Sequence, residues 1–345
     1  MFSGKARAYT NIALIKYWGK ENQELIIPMN NSLSLTLDAF YTETHVTFSE
    51  ELIEDQFYLD NQLQDSKATL KVSRFLNVIR DKADCSLRAI VKSQNFVPTA
   101  AGLASSASGL AALAGAASAA LDLKLSSAEL SRLARRGSGS ACRSIYGGFA
   151  EWQKGDSDET SYAVNIPSGG FEDGLSMIFV VVNDAQKDVS SRDGMQRTVE
   201  TSAFYDGWLQ TVPADLAKAK QAIAEKDFTA LGEVTEASAL KMHGTTLAAN
   251  PPFTYWSAES MKVMNLVRQI RSSGLPCYFT MDAGPNVKIL VERKNEEALL
   301  RILKDQMDSQ QLVVAHAGPA IEILTEPANK KSSKKLEREL SGLKA

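Results

Sequence analysis

Ser32-Leu33-Ser34-Leu35-Thr36-Leu37 alternates polar and apolar at every step, the period of a strand with one face in a core. It follows a turn at Pro28-Met29-Asn30-Asn31, and Thr42 to Phe48 alternates again, predicting a second strand. Other strands are expected within residues 6–18, ending on Ile12-Ala13-Leu14-Ile15, at Phe57-Tyr58-Leu59, at 87–91 and at 147–152. The period then changes. Leu103, Ala107, Leu110, Ala111, Ala114 and Leu121 recur at helical spacing, and Leu70, Phe75, Leu76, Val78 and Ile79 make a rough helical face over 67–80. Ser126-Ser127-Ala128-Glu129 is a capping-box pattern that predicts a second helix running to Arg136.

The unbroken run Met177-Ile178-Phe179-Val180-Val181-Val182 predicts a central strand, buried on both faces. Beyond it, helical patterns at 214–225, 227–241, 257–273 and 296–303 are interleaved with strands at 277–281, 287–291 and 311–315. Gly169, Gly170 and Gly174 cluster where the two halves meet. The expected division is therefore residues 1–172, residues 173–328 and a charged tail, 329–345, in an α+β protein.

Composition changes this picture little. A chain of 345 residues, 44% hydrophobic and 23% charged, is long enough for two globular lobes. A net charge of −3 favours neither nucleic acid nor an anionic membrane as partner. Cys85, Cys142 and Cys277 are scattered and odd in number, which suits a reducing compartment, so a cytoplasmic location is expected. His45, His243 and His316 lie far apart, and no Cys/His spacing resembles a zinc site. Residues 1–16 lack the apolar core of a signal peptide. The run 103–121 approaches the length of a membrane span, but its Ala, Ser and Gly content, with Asp122 and Lys124 at its end, reads as a buried helix.

Four stretches carry candidate chemistry. Pro98-Thr99-Ala100-Ala101-Gly102-Leu103-Ala104-Ser105-Ser106-Ala107-Ser108 is a small-residue loop entering a helix, which lets backbone N–H groups and the helix dipole face a phosphate. An ordinary Ser N-cap on a packed Ala-rich helix fits the same residues. Lys16-Tyr17-Trp18-Gly19-Lys20 places two cations and two aromatics at a strand end, as a polyanion with a carbon body would need, or as a solvated strand end would show. Gly137-Ser138-Gly139-Ser140-Ala141-Cys142-Arg143 offers hydroxyls and one guanidinium fork, and is also readable as a flexible linker. Asp282, at the end of a strand before Ala283-Gly284-Pro285, is either a carboxylate fixed in a cleft or a plain Asx-turn. A fifth segment, Lys187 to Asp193, puts Ser191 and Arg192 at a helix start.

Taken together and in this order, residues 11–20, 98–108, 137–143 and 281–288 resemble the diphosphomevalonate decarboxylases of the GHMP kinase superfamily. The Tyr-Trp-Gly-Lys string and Gly-Ser-Gly-Ser-Ala-Cys-Arg are specific to the decarboxylases, whereas the Gly-Leu-Ala-Ser-Ser loop indicates only the superfamily. There is no Walker A pattern. The resemblance implies a two-lobed GHMP kinase fold, with an N-terminal lobe like ribosomal protein S5 domain 2 and a ferredoxin-like C-terminal lobe. It also implies mevalonate 5-diphosphate as substrate, ATP with Mg²⁺, and a homodimer.

By the same resemblance, Asp282, Arg143 and Lys16 would be catalytic. Asn11, Tyr17, Lys20, Ser138, Ser140, Ser191 and Arg192 would join Arg143 in holding the substrate. Ser93, Asn95, Ala101, Gly102, Leu103, Ala104, Ser105, Ser106, Ser108 and Lys187 would hold the nucleotide, with Ser105 or Ser106 reaching the metal. Two other activities share these motifs in part: a mevalonate 3-kinase-like enzyme that stops at phosphorylation, and a non-catalytic ligand sensor.

Overall fold

The computed structural model describes residues 1–96, 106–182 and 188–324. Strands β1 (Phe2–Ile15) and β4 (Ser32–Ser49) pair antiparallel from Phe2↔Phe48 to Ile15↔Leu33, and a small hairpin, β2 (Lys20–Asn22) with β3 (Ile27–Pro28), rises between them. The two strands expected at 32–37 and 42–48 are thus one strand of 18 residues. The break in alternation is a bulge. Tyr9 pairs with Tyr41 and Asn11 with Thr36, so Leu37 to Phe40 stand opposite Thr10 alone while the ladder continues on both sides.

The first sheet runs β14-β1-β4-β7-β5-β6, where β5 is Gln56–Leu59, β6 is Gln62–Leu63, β7 is Arg88–Phe96 and β14 is Glu322–Leu324. Strand β8 (Phe149–Gln153) adds to β4, and β9 (Tyr162–Asn165) adds to β8. Helices α1 (Ser66–Ala83), α2 (Ser106–Ala120) and α3 (Ser127–Gly137) supply the core around Phe48, Phe75, Leu76, Ile79 and Val91. The alanines of α2 let it lie almost on β1: a Cβ at Gly4 would run into the backbone of Ala116 and Ala120. Helix α3 opens with the expected capping box, Ser126 and Glu129 each accepting from the other's backbone.

The second sheet runs β11-β12-β10-β13, all antiparallel, with β10 (Leu175–Val180), β11 (Cys277–Met281), β12 (Val287–Glu292) and β13 (Leu312–His316). Strand β10 lies inside this sheet, as its apolar run requires. Helices α7 (Ala258–Ser272) and α8 (Glu296–Lys304) pack one face through Val263, Met264, Val267, Leu299 and Leu303. Helices α4 (Ser191–Thr201), α5 (Tyr205–Glu225) and α6 (Phe228–Leu247) lie towards the first sheet. There Leu14, Leu33, Phe40 and Phe149 share one core with Met177, Phe179, Trp208 and Leu231. The division expected at 172/173 assigns β14 to the second lobe, whereas β14 hydrogen-bonds to β1 in the first sheet. Among the described residues no helix is long and apolar enough to cross a membrane.

Candidate active site

Asp282 follows β11 in a tight turn closed by a hydrogen bond from the Gly284 N–H to the Asp282 carbonyl, 2.8 Å. Its two carboxylate oxygens meet two lysines: Lys16 Nζ is 2.8 Å from Oδ1 and Lys288 Nζ is 3.1 Å from Oδ2. Both ammoniums are buried, Lys16 with 2% and Lys288 with 4% of its side chain exposed, against 37% for Asp282. The carboxylate therefore faces the cavity with its back to two cations. Burial pushes the Asp282 carboxyl up, but the two lysines outweigh it and hold it far below the usual carboxylate range. Lys16 is lowered to about 8, first by burial and further by Lys288 and Arg143, with Asp282 opposing. Its ammonium also donates to the Ala13 carbonyl at 2.8 Å, at the end of β1.

Arg143 sits in a 3-10 turn, Gly139–Ile145, which is buried over most of its length, not the flexible linker the glycines permit. The turn is held from β1. Asn11 Nδ2 donates to the Ser140 carbonyl at 2.9 Å and to Ser144 Oγ at 2.8 Å, and Asn11 Oδ1 accepts from Arg143 Nε at 3.2 Å. Arg143 Nη1 donates to Ser32 Oγ at 2.5 Å. A guanidinium 2% exposed and hydrogen-bonded to two side chains has one orientation. Ser138 and Ser140 bring their hydroxyls to 3.5 Å of one another on the same wall.

One cavity of about 1000 Å³ joins these groups. Asn11, Lys16, Tyr17, Lys20, Ser106, Ser138, Ser140, Arg143, Ser191, Arg192, Asp282 and Lys288 all line it, so the structure brings most of the expected residues together. At its other end Ser191 and Arg192 open α4, whose Ser190 side chain caps the Asp193 N–H. Lys20 is pulled below its ordinary value by burial and by Arg192, and neither cation has an ion-pair partner among the described residues. The Tyr17 hydroxyl is buried without a described hydrogen-bond partner, its ring 4.7 Å from Trp152, and burial raises its pKa. Gly19 links this cluster to Lys16 at φ +105°, and Tyr205 from α5 donates to the Trp18 carbonyl at 2.6 Å beneath it.

Three expected residues lie elsewhere. Ser93 Oγ is paired with Thr44 Oγ1 at 2.8 Å, Asn95 Oδ1 accepts from Thr42 Oγ1 at 2.9 Å, and Ser108 Oγ is 2.9 Å from Thr42 Oγ1. These bonds hold them in the seam between β4, β7 and α2, and none of the three is among the residues lining the cavity. Ala101, Gly102, Leu103, Ala104, Ser105 and Lys187 lie outside the described residues, as does the tail at 329–345.

A profile of the diphosphomevalonate decarboxylase-like N-terminal domain matches residues 8–163, and one of the mevalonate 5-diphosphate decarboxylase C-terminal domain matches 177–343. The chain belongs to the diphosphomevalonate decarboxylase family. A Candida albicans diphosphomevalonate decarboxylase is 36% identical over 318 residues, covering 88% of each chain. A solved structure of mevalonate diphosphate decarboxylase from Staphylococcus aureus is 57% identical, with a TM-score of 0.92 over 94% of this chain and 98% of the other. A further one, described as MDDEF in complex with MVAPP, AMPPCP and magnesium, is 65% identical, with a TM-score of 0.92 over 94% and 99% of the two chains. The two-lobed α+β architecture is accordingly the GHMP kinase fold.

Within this decarboxylase cavity two features escaped the sequence reading. In the sequence Lys288 stands only as the last residue of a motif. Its register carries the missing signal: it pairs with Thr280, two residues before Asp282, so all three share one face of the sheet. The second is an arm of the cavity walled by Phe57, Val72, Phe75 and Val78, with Lys71 and Arg74 beside them. It is made where α1 meets β5, and the helical pattern of α1 reads as plain core until that arm is seen.

Proposed function

We propose that this cavity carries out the family's reaction on mevalonate 5-diphosphate: with ATP it yields isopentenyl diphosphate, carbon dioxide, ADP and phosphate. The carrying observation is one anionic carboxylate, fixed by two lysines, in the same cavity as a locked guanidinium.

The substrate needs three separate grips. Its 5-diphosphate suits Lys20, Arg192, Ser191 and the Tyr17 hydroxyl, which form an uncompensated positive end. Its carboxylate suits the fork of Arg143, with Ser138 and Ser140 beside it. Its C3 hydroxyl then falls at Asp282. Flanked by two ammoniums, Asp282 is too weak a base to remove that proton in advance. It accepts the hydroxyl hydrogen bond and aims the oxygen, and the proton passes to an oxygen of the transferred phosphoryl group as the bond to phosphorus forms, which a loose phosphoryl transfer permits. Lys16, charged below about pH 8, faces the transferring group. Departure of the C3 phosphate leaves positive character on C3 beside the Asp282 anion. The bond to the carboxyl carbon then supplies the electrons of the new double bond, and carbon dioxide leaves Arg143.

ATP would place its phosphates at the N-terminus of α2, with the nucleoside in the arm of Phe57, Val72, Phe75 and Val78, in place of the Ser93 and Asn95 pocket. Among the described residues no three His, Cys, Asp or Glu side chains converge as a metal cage. That suits Mg²⁺ carried on nucleotide phosphates and water, with the exposed Ser106 as a protein oxygen, and the ion supplies neutralisation of phosphate charge. We further propose a cytoplasmic homodimer, which light scattering of the purified protein tests.

The deciding experiment incubates the protein with ATP, Mg²⁺ and mevalonate 5-diphosphate and measures ADP and carbon dioxide together. Equal yields are expected. ADP without carbon dioxide makes it a 3-kinase, and neither product makes it a sensor.

A further inference from the structure

Lys288 is buried in β12, between Phe179 of β10 and Thr280 of β11, a position that otherwise takes an apolar residue. A lysine there costs desolvation unless something compensates it, and its described ion-pair partner is Asp282 Oδ2, 3.1 Å away. Lys16 alone would satisfy the charge of the carboxylate. What a second lysine on the second oxygen adds is direction. With one contact the carboxylate swings about its Cβ–Cγ bond, and with two on opposite oxygens it has one plane. We infer that Lys288 is a positioning residue for phosphoryl transfer, pinning Oδ2 of Asp282 so that the carboxylate presents one fixed face to the substrate hydroxyl.

This inference rests on the reading of Asp282 above. It also couples Lys288 to Lys16. Four groups face the Lys16 ammonium: Asp282 from the β11–β12 turn, Lys288 from β12, Arg143 from the 3-10 turn, and the His243 ring from α6. His243 is 1% exposed and lowered to about 3, chiefly by burial, so it is neutral at working pH. Removing Lys288 takes one repelling cation from Lys16, whose pKa must then rise.

The test compares Lys288→Met, Lys288→Gln and Lys288→Arg in the full chain, each checked by circular dichroism and thermal melting. Lys288→Met is expected to lower kcat about 10²-fold, to leave KM for ATP and for mevalonate 5-diphosphate within threefold, and to move the basic limb of the kcat profile to higher pH. Lys288→Gln keeps a donor without charge. It is expected to lose less kcat with the same shift of the limb, and it serves if the Met variant does not fold. Lys288→Arg is expected to restore at least tenfold of the lost kcat and to return the limb. Folded Met or Gln variants with wild-type kcat would overturn the inference. So would a loss of kcat with an unmoved limb and rising KM, the mark of a merely structural role. Asp282→Asn separates the two claims. Normal turnover in that variant removes the reading of Asp282 itself, whereas an inactive Asp282→Asn beside a normal Lys288→Met removes only the role of Lys288.

Discussion

At one end of the cavity two buried lysines close on one carboxylate, and at the other Lys20 and Arg192 stand together with no described carboxylate between them. The first end is finished before any ligand arrives. Each ammonium there already holds an oxygen of the carboxylate, its side chains have one arrangement, and a neutral hydroxyl can approach it without displacing anything. The second is unfinished: two like charges repel until an anion enters. Chemistry on a neutral group needs geometry fixed in advance, whereas capture of a polyanion gains most from charge left unmatched. The two ends should therefore fail in different ways when altered.

The largest failure is expected at the finished end. Asp282→Asn should cut kcat about 10³-fold while ATP affinity, by equilibrium titration, stays within twofold. A comparable loss of ATP binding would show that Asp282 serves the nucleotide and that the contrast between the ends is false. Next, Arg192→Ala should raise KM for mevalonate 5-diphosphate between about 10- and 100-fold, the worth of one or two charged hydrogen bonds, with kcat changed less than fivefold. Added salt should weaken the wild type more than this variant, as steady-state assays at two ionic strengths would reveal.

A smaller, graded effect comes with pH. Lys16 has a folded-state pKa of about 8, below its unfolded value, so the protonated form is lost as pH rises through 8. The kcat profile should fall on its basic side near pH 8, tenfold per unit at most, and the limb should move to lower pH in Asp282→Asn, where the carboxylate that raises Lys16 is gone. The linked effect on stability has the opposite sign. The unfolded chain binds this proton more tightly, so Lys16 contributes rising stability between about pH 8 and its unfolded pKa. Urea titrations at two pH values in that window measure it against Lys16→Met. Smallest of all, Ser93→Ala should cost about 1 kcal/mol of stability for a lost buried hydrogen bond and leave KM for ATP within twofold. A large rise in that KM would return the nucleoside to Ser93 and Asn95.

Elements with a local signal wrote themselves plainly into the sequence. The alternation of β4, the apolar run of β10 and the capping box of α3 each follow from a local pattern or a local hydrogen bond. What escaped depends on partners distant in the chain. Leu37 to Phe40 break the alternation of β4, and only β1 shows that the break is a bulge. The glycines and serines at 137–143 suit a flexible linker until Asn11, more than a hundred residues earlier, is seen to hold them in a buried turn. Lys288 reads as an ordinary polar position until strand register sets it beside Asp282, and β14 is too short to have a period at all. Ser93, Asn95 and Ser108 lie near or within the phosphate loop in sequence. In the structure their side chains hydrogen-bond to Thr42 and Thr44.

Strand β14 reaches back to meet Lys5, Ala6 and Arg7 after the whole second sheet has been made. Topologically the second lobe is an insertion within the first. A fragment ending near residue 172 would leave β1 with a bare edge, open to self-association, so the halves are poor candidates for separate production. Circular permutation is the better route to taking the molecule apart: Lys5 and Leu324 are already neighbours, and a short linker between them would free the chain to begin and end elsewhere.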